Sequence, residues 1–202
     1  MAKVTSASEH IKTYSQKLAR ALELPAMDGV PALTAALREA WQCGRTVYLC
    51  GNGGSAANAI HLANDLLYDA GISNGAGLKV EALSANPAVI TSLANDVGYA
   101  DIFAEQLRVK AHAGDVLIAL SGSGNSPNVV KALETGNAKG MRTFAILGYA
   151  GGRAKAVAQH PIHFAIDDMQ ISEDLQLAVG HMCLQWLLAN PISADARQTI
   201  AS

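Results

Sequence analysis

Five short apolar runs, separated by stretches with helical spacing, constrain the fold of this chain more than any other feature. They are TVYLC (46–50), LKVEALS (78–84), VLIALS (116–121), TFAILG (143–148) and IHFAI (162–166). The runs are apolar without strict alternation, which is typical of strands that are covered on both faces. Because a helical stretch follows each run, the pattern predicts an α/β fold with a parallel sheet wrapped by helices.

Helical spacing is found on both sides of these runs. Two amphipathic helices are predicted at about 5–22 and 28–42, and a late helix at about 170–190. The late helix is expected to begin at the acidic SED segment at 172–174, since acidic side chains suit a positive helix N-terminus, and to end near Asn190. Because a helical pair outside the sheet would leave its apolar stripe exposed to water, we expect the first two helices to pack on a neighbouring copy.

The pattern indicates no boundary between domains. No internal repeat, low-complexity tract or linker interrupts the 202 residues. We therefore predict a single domain over 1–202, with a helical extension at about 5–42 and an α/β core at about 43–190.

Charge and cysteine content argue against several classes of protein. With 15 basic and 17 acidic residues the formal charge is -2, so the chain lacks the positive field of a duplex nucleic-acid binder. No run of about 18 apolar residues occurs without a charge or a glycine-rich break, so no membrane span is predicted. The cysteines (Cys43, Cys50 and Cys183) are few and odd in number, and the N-terminus is polar, which indicates a reduced, cytoplasmic protein. A content of 50% hydrophobic and 16% charged residues favours a homo-oligomer.

Two strand-to-helix junctions are rich in glycine and hydroxyl side chains. The segment GNGGS at 51–55 follows the first run, and SGSGNS at 121–126 follows the third. Both fall beyond the carboxyl ends of strands, where an open α/β sheet binds its ligands. Glycines allow close backbone approach, the following helix offers free N–H groups, and serine hydroxyls add neutral donors. The two loops together predict a phosphate site, although either alone is also consistent with a well-capped turn.

Neither loop has the spacing of a nucleotide site. No Gly-Lys-Ser/Thr follows the first loop, and the G-x-G-x-x-G spacing is not met. The serines are also not part of a recognisable hydrolase elbow with a His–Asp pairing. A phosphorylated metabolite therefore fits better than a nucleotide, and no organic cofactor is expected.

Four side chains form a candidate acid–base and metal group. His61 and Asp65 are spaced i, i+4 on the helix that starts at the first loop, so they project from one face. Glu173 and His181 stand on the late helix, about 12 Å apart along its axis. Either their long side chains lean together, or the late helix lends one residue to a neighbouring subunit's pocket. Two imidazoles and two carboxylates suit zinc or another divalent ion, and a carboxylate with an imidazole suits proton transfer near neutral pH.

These motifs resemble the sugar isomerase (SIS) domain family and, within it, the phosphoheptose isomerase branch. The resemblance is carried by GNGGSAANAIHLANDLL, SLANDVGYADIF, GDVLIALSGSGNSPNVVKAL and EDLQLAVGH, and it covers about residues 5–190. It implies a three-layer, flavodoxin-like sheet of five parallel strands and a homotetramer with active sites at subunit interfaces. It also implies conversion of D-sedoheptulose 7-phosphate to D-glycero-D-manno-heptose 7-phosphate, for surface-polysaccharide synthesis.

The resemblance further implies roles for individual residues. One set is expected to bind the substrate: Asn52, Gly53, Gly54, Ser55, Asn95, Asp96, Ser121, Gly122, Ser123, Ser126 and Glu173. All of these except Asn95, Asp96 and Glu173 are expected to surround its phosphate group. A second set is expected to bind one zinc ion: His61, Asp65, Glu173 and His181. Proton transfer through an enediol is assigned to Asp65 as the base and His181 as the acid, with Glu173 as a second candidate base.

The sequence departs from the family at four positions. The family carries Glu at 65, Gln at 173, Thr at 122 and Arg near 69, where this chain has Asp65, Glu173, Gly122 and Asp69. Asp65 is one methylene shorter than Glu, and a displacement of about 1 Å costs roughly a hundredfold in rate if nothing compensates. These departures leave open an isomerase for a different sugar phosphate.

A non-catalytic member of the same family is the alternative from another class. Proteins of the replication-initiator-associating type resemble this chain in the early motif GN-x-SAANA-x-H and bind a protein partner. They lack an acid at the position of Asp65 and a histidine at that of His181. The presence of both residues here favours the enzyme.

Overall fold

The sheet has the predicted all-parallel arrangement. The computed structural model of the protein describes residues 6–74 and 76–192. Its five strands form one sheet in the order β2-β1-β3-β4-β5, which confirms the flavodoxin-like α/β fold. The strands are β1 (Thr46–Cys50), β2 (Lys79–Ala82), β3 (Val116–Ser121), β4 (Arg142–Leu147) and β5 (His160–His163).

Eight α-helices surround the sheet in the described part of the chain. They are α1 (Ala7–Ala21), α2 (Val30–Gln42), α3 (Gly54–Asn74), α4 (Pro87–Asp96), α5 (Ala104–Lys110), α6 (Pro127–Ala138), α7 (Gly152–Val157) and α8 (Met169–Ala189). Short 3-10 turns lie at Pro25–Gly29 and Tyr99–Asp101. Within residues 6–74 and 76–192, no helix combines the length and the apolar character needed to cross a bilayer.

The last strand and the last helix both begin earlier than predicted. Strand β5 begins at His160 and not at the apolar residue 162, because its ladder with β4 starts where His160 pairs with Phe144. Helix α8 begins before the acidic segment at 172–174, because the Asp168 side chain caps it by accepting a hydrogen bond from the Ile171 N–H at 3.2 Å.

Hydrophobic clusters cover both faces of the sheet. Val47 and Leu49 of β1 belong to the cluster beneath α2, α3 and α8, whereas Tyr48 and Cys50 belong to the cluster beneath α5 and α6. Successive side chains of a strand point to opposite faces. Burial on both faces therefore explains why the five runs are apolar without alternation.

The apolar stripe of α2 is not exposed to water, although this was the reason for expecting the first two helices to pack on another copy. Leu33, Leu37 and Trp41 are buried in the chain's own core, and the Trp41 indole N–H donates to the Ala76 carbonyl at 2.9 Å. Helix α1 lies on α8, where the Tyr14 hydroxyl donates to the Asp174 carboxylate. The apolar stripe of α2 is thus covered within one chain.

Two of the cysteines are buried core residues. Cys50 and Cys183 have no exposed surface, and burial raises their thiol pKa to about 12 and about 11. Such thiols stay protonated near neutral pH, so neither is a nucleophile there.

Gly124 is the position at which the second loop depends most on glycine. Its φ is +66°, and an added Cβ would lie 2.0 Å from the carbonyl oxygen of Gly151. We expect Gly124→Ala to lower the free energy of unfolding by about 3 kcal/mol, since left-handed backbone costs about 1–2 kcal/mol and a clash adds about 1–3 kcal/mol.

Gly140→Ala is the matched control for this variant. Gly140 has a φ of +73°, but its added Cβ would meet only the Cβ of Ala113 at 3.4 Å. It is expected to lose only about 1–2 kcal/mol. Urea unfolding followed by circular dichroism measures both variants, and equal losses would contradict the proposed backbone clash.

Candidate active site

Two loops meet at the carboxyl ends of β1 and β3 and enclose a cavity. The strand order reverses between these two neighbouring strands, which is where a doubly wound sheet opens to its ligand. The cavity has a volume of about 270 Å³. We call it the cup; its lining is Asn52, Gly53, Gly54, Ser55, Leu120, Ser121, Gly122, Ser123, Ser126, Met169 and Glu173. The structure thus brings together most of the expected substrate-binding set, including every residue expected around the phosphate group.

The first loop presents a buried hydroxyl at the start of α3. Ser55 Oγ accepts a hydrogen bond from Gln176 Nε2 at 3.0 Å, and Gln176 Oε1 accepts one from Asn58 Nδ2 at 3.0 Å. Since a hydroxyl donates one hydrogen, the Ser55 O–H is left to donate to another group. The α8 residue Gln176 therefore orients a donor of the cup.

The second loop is held mainly by its own side chains. Ser121 Oγ accepts from the Gly124 N–H at 3.0 Å, and Ser123 Oγ accepts from the Asn125 N–H at 3.3 Å. Ser126 precedes α6 without capping it. Among the residues that line the cup none is a lysine or an arginine. An anion there would be held by hydroxyls, amides and helix N-termini, with no formal positive charge.

Glu173 lies in the cup and not beside His181. A Cβ added to Gly54 would lie 2.3 Å from Glu173 Oε1, so the carboxylate rests against the first residue of α3. A negative side chain is favourable at a helix N-terminus. Within one chain, Glu173 and His181 therefore do not lean together, because Glu173 lies at Gly54 and His181 lies beside Asp65.

His61, Asp65 and His181 form a compact group at the crossing of α3 and α8. The distances are 3.0 Å between the two Nε2 atoms, 3.2 Å from His61 Nε2 to Asp65 Oδ2, and 3.4 Å from His181 Nε2 to the same oxygen. Asn64 Nδ2 donates to the other oxygen, Asp65 Oδ1, at 3.2 Å. The Asp65 side chain is 14% exposed, whereas both imidazoles are about half exposed.

A glycine permits this crossing. A Cβ at Gly180 would lie 2.2 Å from Leu62 Cδ2, so α8 reaches α3 only because residue 180 has no side chain. His181 is the next residue along α8, and its imidazole is thereby carried to the face that bears His61 and Asp65. This contact could not be derived from the spacing of any one helix.

The three side chains fit a zinc ion. Ligand atoms about 2.0–2.1 Å from a tetrahedral zinc lie about 3.3 Å from one another, close to the three distances given above. Each of the three offers a ligand atom within 4.8 Å of the others. Three protein ligands and one open position are typical of catalytic zinc sites. The structure does not bring the fourth expected ligand, Glu173, into this group.

Two other expected site residues lie outside the lining of the cup. Asn95 and Asp96 end α4, and Asn95 Nδ2 donates to Asp96 Oδ1 at 2.7 Å. Conversely, Met169, Asn128 and Gln176 line or support the cup and were not singled out from the sequence. A buried amide inside an apolar helix was the one signal that could have found Gln176.

Comparisons of this chain with protein families, sequences and solved structures all find the same group of proteins. The model of the SIS domain family matches residues 9–148. A phosphoheptose isomerase of Chlorobaculum parvum is 36% identical over 177 residues, which is 85% of this chain and 83% of that protein. One of Trichlorobacter lovleyi is 37% identical over 174 residues, 86% of each. A solved phosphoheptose isomerase of Neisseria gonorrhoeae has a TM-score of 0.83 at 24% identity, covering 91% of this chain and 100% of that one, which supports the fold.

Metal titration tests the three-residue group directly. We expect His61→Ala and His181→Ala each to weaken Zn²⁺ binding by at least about a hundredfold, since even indirect supports of a metal ligand are worth roughly ten- to a hundredfold. Glu173→Ala should leave the affinity within about threefold, because its carboxylate lies against Gly54.

Isothermal titration with Zn²⁺ measures these affinities, with the exposed His10 of α1 replaced by alanine as the control. A loss on Glu173→Ala as large as that on His181→Ala would contradict the three-residue group and restore the four-ligand set.

Proposed function

The chain belongs to the SIS domain family, and we propose that it is an aldose–ketose isomerase of the phosphoheptose type, acting on D-sedoheptulose 7-phosphate. One observation carries the proposal: a polar cup of about 270 Å³ and a His–Asp group both adjoin the same pair of helices, α3 and α8. Ser55 at the cup and His61 are about 9 Å apart along α3. This separation suits a sugar that carries its phosphate far from its reacting carbons.

The proposed chemistry uses the residues at each end of that span. The cup binds the phosphoryl group through Ser55, Ser121 and neighbouring donors, which orients the sugar along α3. Asp65 then moves a proton from C1 to C2, and the His181 imidazole serves the carbonyl and hydroxyl oxygens through an enediol. A zinc ion held by His61, Asp65 and His181 would coordinate His181 Nε2 and one oxygen of Asp65, so it would supply a Lewis acid for the carbonyl in place of the imidazole and leave the other Asp65 oxygen as the base.

The position of Glu173 supports Asp65 as the base. Glu173 lies against Gly54 in the cup, beside the phosphate end of the proposed substrate. Asp65 lies with the imidazoles, where the reacting carbons would be. Glu173 is therefore better placed to accept a hydrogen bond from a sugar hydroxyl than to move the proton.

The non-catalytic alternative is not favoured. The two bacterial relatives described above are phosphoheptose isomerases, and this chain matches more than four fifths of the length of each. The acid and the histidine that the alternative type lacks come together here within 3.4 Å. The described residues thus have the groups that the chemistry needs.

We further propose a cytoplasmic homotetramer with active sites at subunit interfaces, supplying a heptose phosphate for lipopolysaccharide or related synthesis, the whole chain 1–202 acting as one SIS domain. An apolar groove between α2 and α8, lined by Met27, Val30, Pro31, Thr34, Ala35, Met182 and Trp186, supports the association. Trp186 is 43% exposed there. An exposed apolar groove of this kind is typical of a protein–protein contact.

Isomerisation in deuterated water tests the activity. With Zn²⁺ present, the wild-type protein should convert sedoheptulose 7-phosphate to the aldose and incorporate deuterium at C2. His181→Gln should lower exchange by about a hundredfold or more, because it removes the acid, while sugar-phosphate binding at the cup stays near the wild-type level. His112→Gln, exposed and far along the chain from both groups, is the control. No turnover and no exchange, with or without Zn²⁺, would refute the heptose assignment.

Light scattering after size-exclusion chromatography tests the assembly. Trp186→Glu should shift the tetramer toward smaller species, since a charge placed in an apolar contact costs several kcal/mol unless it is paired. The control is Val109→Glu on α5, because Val109 is 83% exposed and lies outside the groove. A shift with Val109→Glu and none with Trp186→Glu would place the contact elsewhere.

A further inference from the structure

A reciprocal pair of amides joins the two loops of the cup. Asn52 Nδ2 in the first loop donates to Asn128 Oδ1 at 2.8 Å, and Asn128 Nδ2 donates to Asn52 Oδ1 at 2.8 Å. Asn128 is the second residue of α6 and is only 1% exposed. The pair ties the first loop to the helix that follows the second.

The backbone decides which way both amides face. The Val129 N–H can only donate, and it lies 2.9 Å from Asn128 Oδ1, so the oxygen of Asn128 must be on that side. Asn128 Nδ2 then faces Asn52, whose side-chain oxygen must be the acceptor. The orientation of Asn52 is thus set through two successive hydrogen bonds, from the Val129 N–H to Asn128 and from Asn128 to Asn52.

A tyrosine completes the arrangement. The Tyr99 hydroxyl also donates to Asn52 Oδ1, at 3.0 Å. Two donors occupy the two lone pairs of that oxygen, and one of the two N–H groups of Asn52 Nδ2 is used by Asn128. The second N–H remains for the cup, which Asn52 lines.

We infer that Asn128 is a positioning residue that makes Asn52 a hydrogen-bond donor to the phosphoryl group; the inference deepens the proposed function and rests on it. Without Asn128, Asn52 can turn and present its oxygen, an acceptor that repels a phosphate oxygen, because its remaining partner, the Tyr99 hydroxyl, can accept from an amide N–H as well as donate to an amide oxygen. Since no lysine or arginine lines the cup, each neutral donor carries a large share of the affinity. Loss of one donor to a charged group weakens binding by roughly ten- to a hundredfold.

A double-mutant cycle separates positioning from a structural role. Inorganic phosphate and sedoheptulose 7-phosphate are titrated calorimetrically into wild type, Asn128→Ala, Asn52→Ala and the double variant. We expect Asn128→Ala to weaken both ligands by roughly ten- to a hundredfold, and to raise KM while kcat changes by less than about threefold. In the Asn52→Ala background, Asn128→Ala should add less than about threefold, because the group it acts through is gone.

The matched control is Asn137→Ala at the other end of α6. The side-chain nitrogen of Asn137 donates to the Val157 carbonyl at 2.8 Å, and its side-chain oxygen accepts from the Thr143 hydroxyl at 2.6 Å. Asn137 therefore resembles Asn128 in its hydrogen bonding, but it lies outside the cup. Its variant should bind both ligands as wild type does. If Asn128→Ala fails to fold, Asn128→Asp replaces it, since it keeps the acceptor for the Val129 N–H. Any effect of its added charge persists in the Asn52→Ala background, and the positioning effect does not.

The outcomes distinguish the inference from the proposed function. If wild type binds and isomerises the sugar phosphate but Asn128→Ala binds equally well, or its effect simply adds to that of Asn52→Ala, the inference is overturned and the function stands. If wild type neither binds nor isomerises it, the proposed function is overturned and the inference with it.

Discussion

The close crossing of α3 and α8 is the constraint on which both parts of the site depend. Gly180 lets the two helices approach each other at Leu62. On either side of this point, contacts nearer the N-terminus of α3 are made by residues nearer the N-terminus of α8. Toward the N-termini, Gln176 holds Ser55 at the cup. Toward the C-termini, His181 meets Asp65. The packing of these two helices thus sets the distance between the cup and the group formed by His61, Asp65 and His181.

The side chains and N–H groups of the cup are of two kinds, neutral hydrogen-bond donors and one negatively charged acceptor. Hydroxyls, amides and free N–H groups at the starts of α3 and α6 are donors, and they suit a phosphoryl group. Glu173 is the one carboxylate in the lining, and it can only accept when ionised. It would repel a phosphate placed directly upon it. In the proposed binding mode the phosphoryl group therefore lies toward Ser55 and Ser121, with a sugar hydroxyl between it and Glu173.

The sequence predicted the parts of the site that depend on local order. Strands β1 and β3 were found to the residue, since both are buried on two faces, and the loops that follow them carry the glycines and serines of the cup. The pairing of His61 with Asp65 followed from helical spacing. Non-local contacts were not predictable in this way. The approach at Gly180 depends on packing between two helices. Nothing in the sequence around Asn128 distinguishes it from any other second residue of a helix, and its contact with Asn52 depends on the fold.

The same reasoning explains why Glu173 lies apart from the other three expected metal ligands in this chain. Family resemblance assigns residues 173 and 181 to one metal, but eight residues along a helix separate them by about 12 Å. The described chain resolves this by using α8 twice, with Glu173 over Gly54 and His181 beside Asp65. An acid at 173 gains from the N-terminal dipole of α3, an interaction that a neutral glutamine would share only weakly.

The short acid at position 65 then restricts the substrate. Asp65 Oδ1 is held by Asn64 and Oδ2 faces both imidazoles, so this carboxylate cannot extend toward a distant carbon. Proton transfer falls steeply when the reacting atoms are displaced by about 1 Å. In the proposed binding mode the phosphoryl group lies at the first turn of α3, so the reacting carbons must lie close to the imidazoles of His61 and His181. Chain length between phosphate and carbonyl, more than the pattern of hydroxyls, is therefore the property by which this site would select among sugar phosphates.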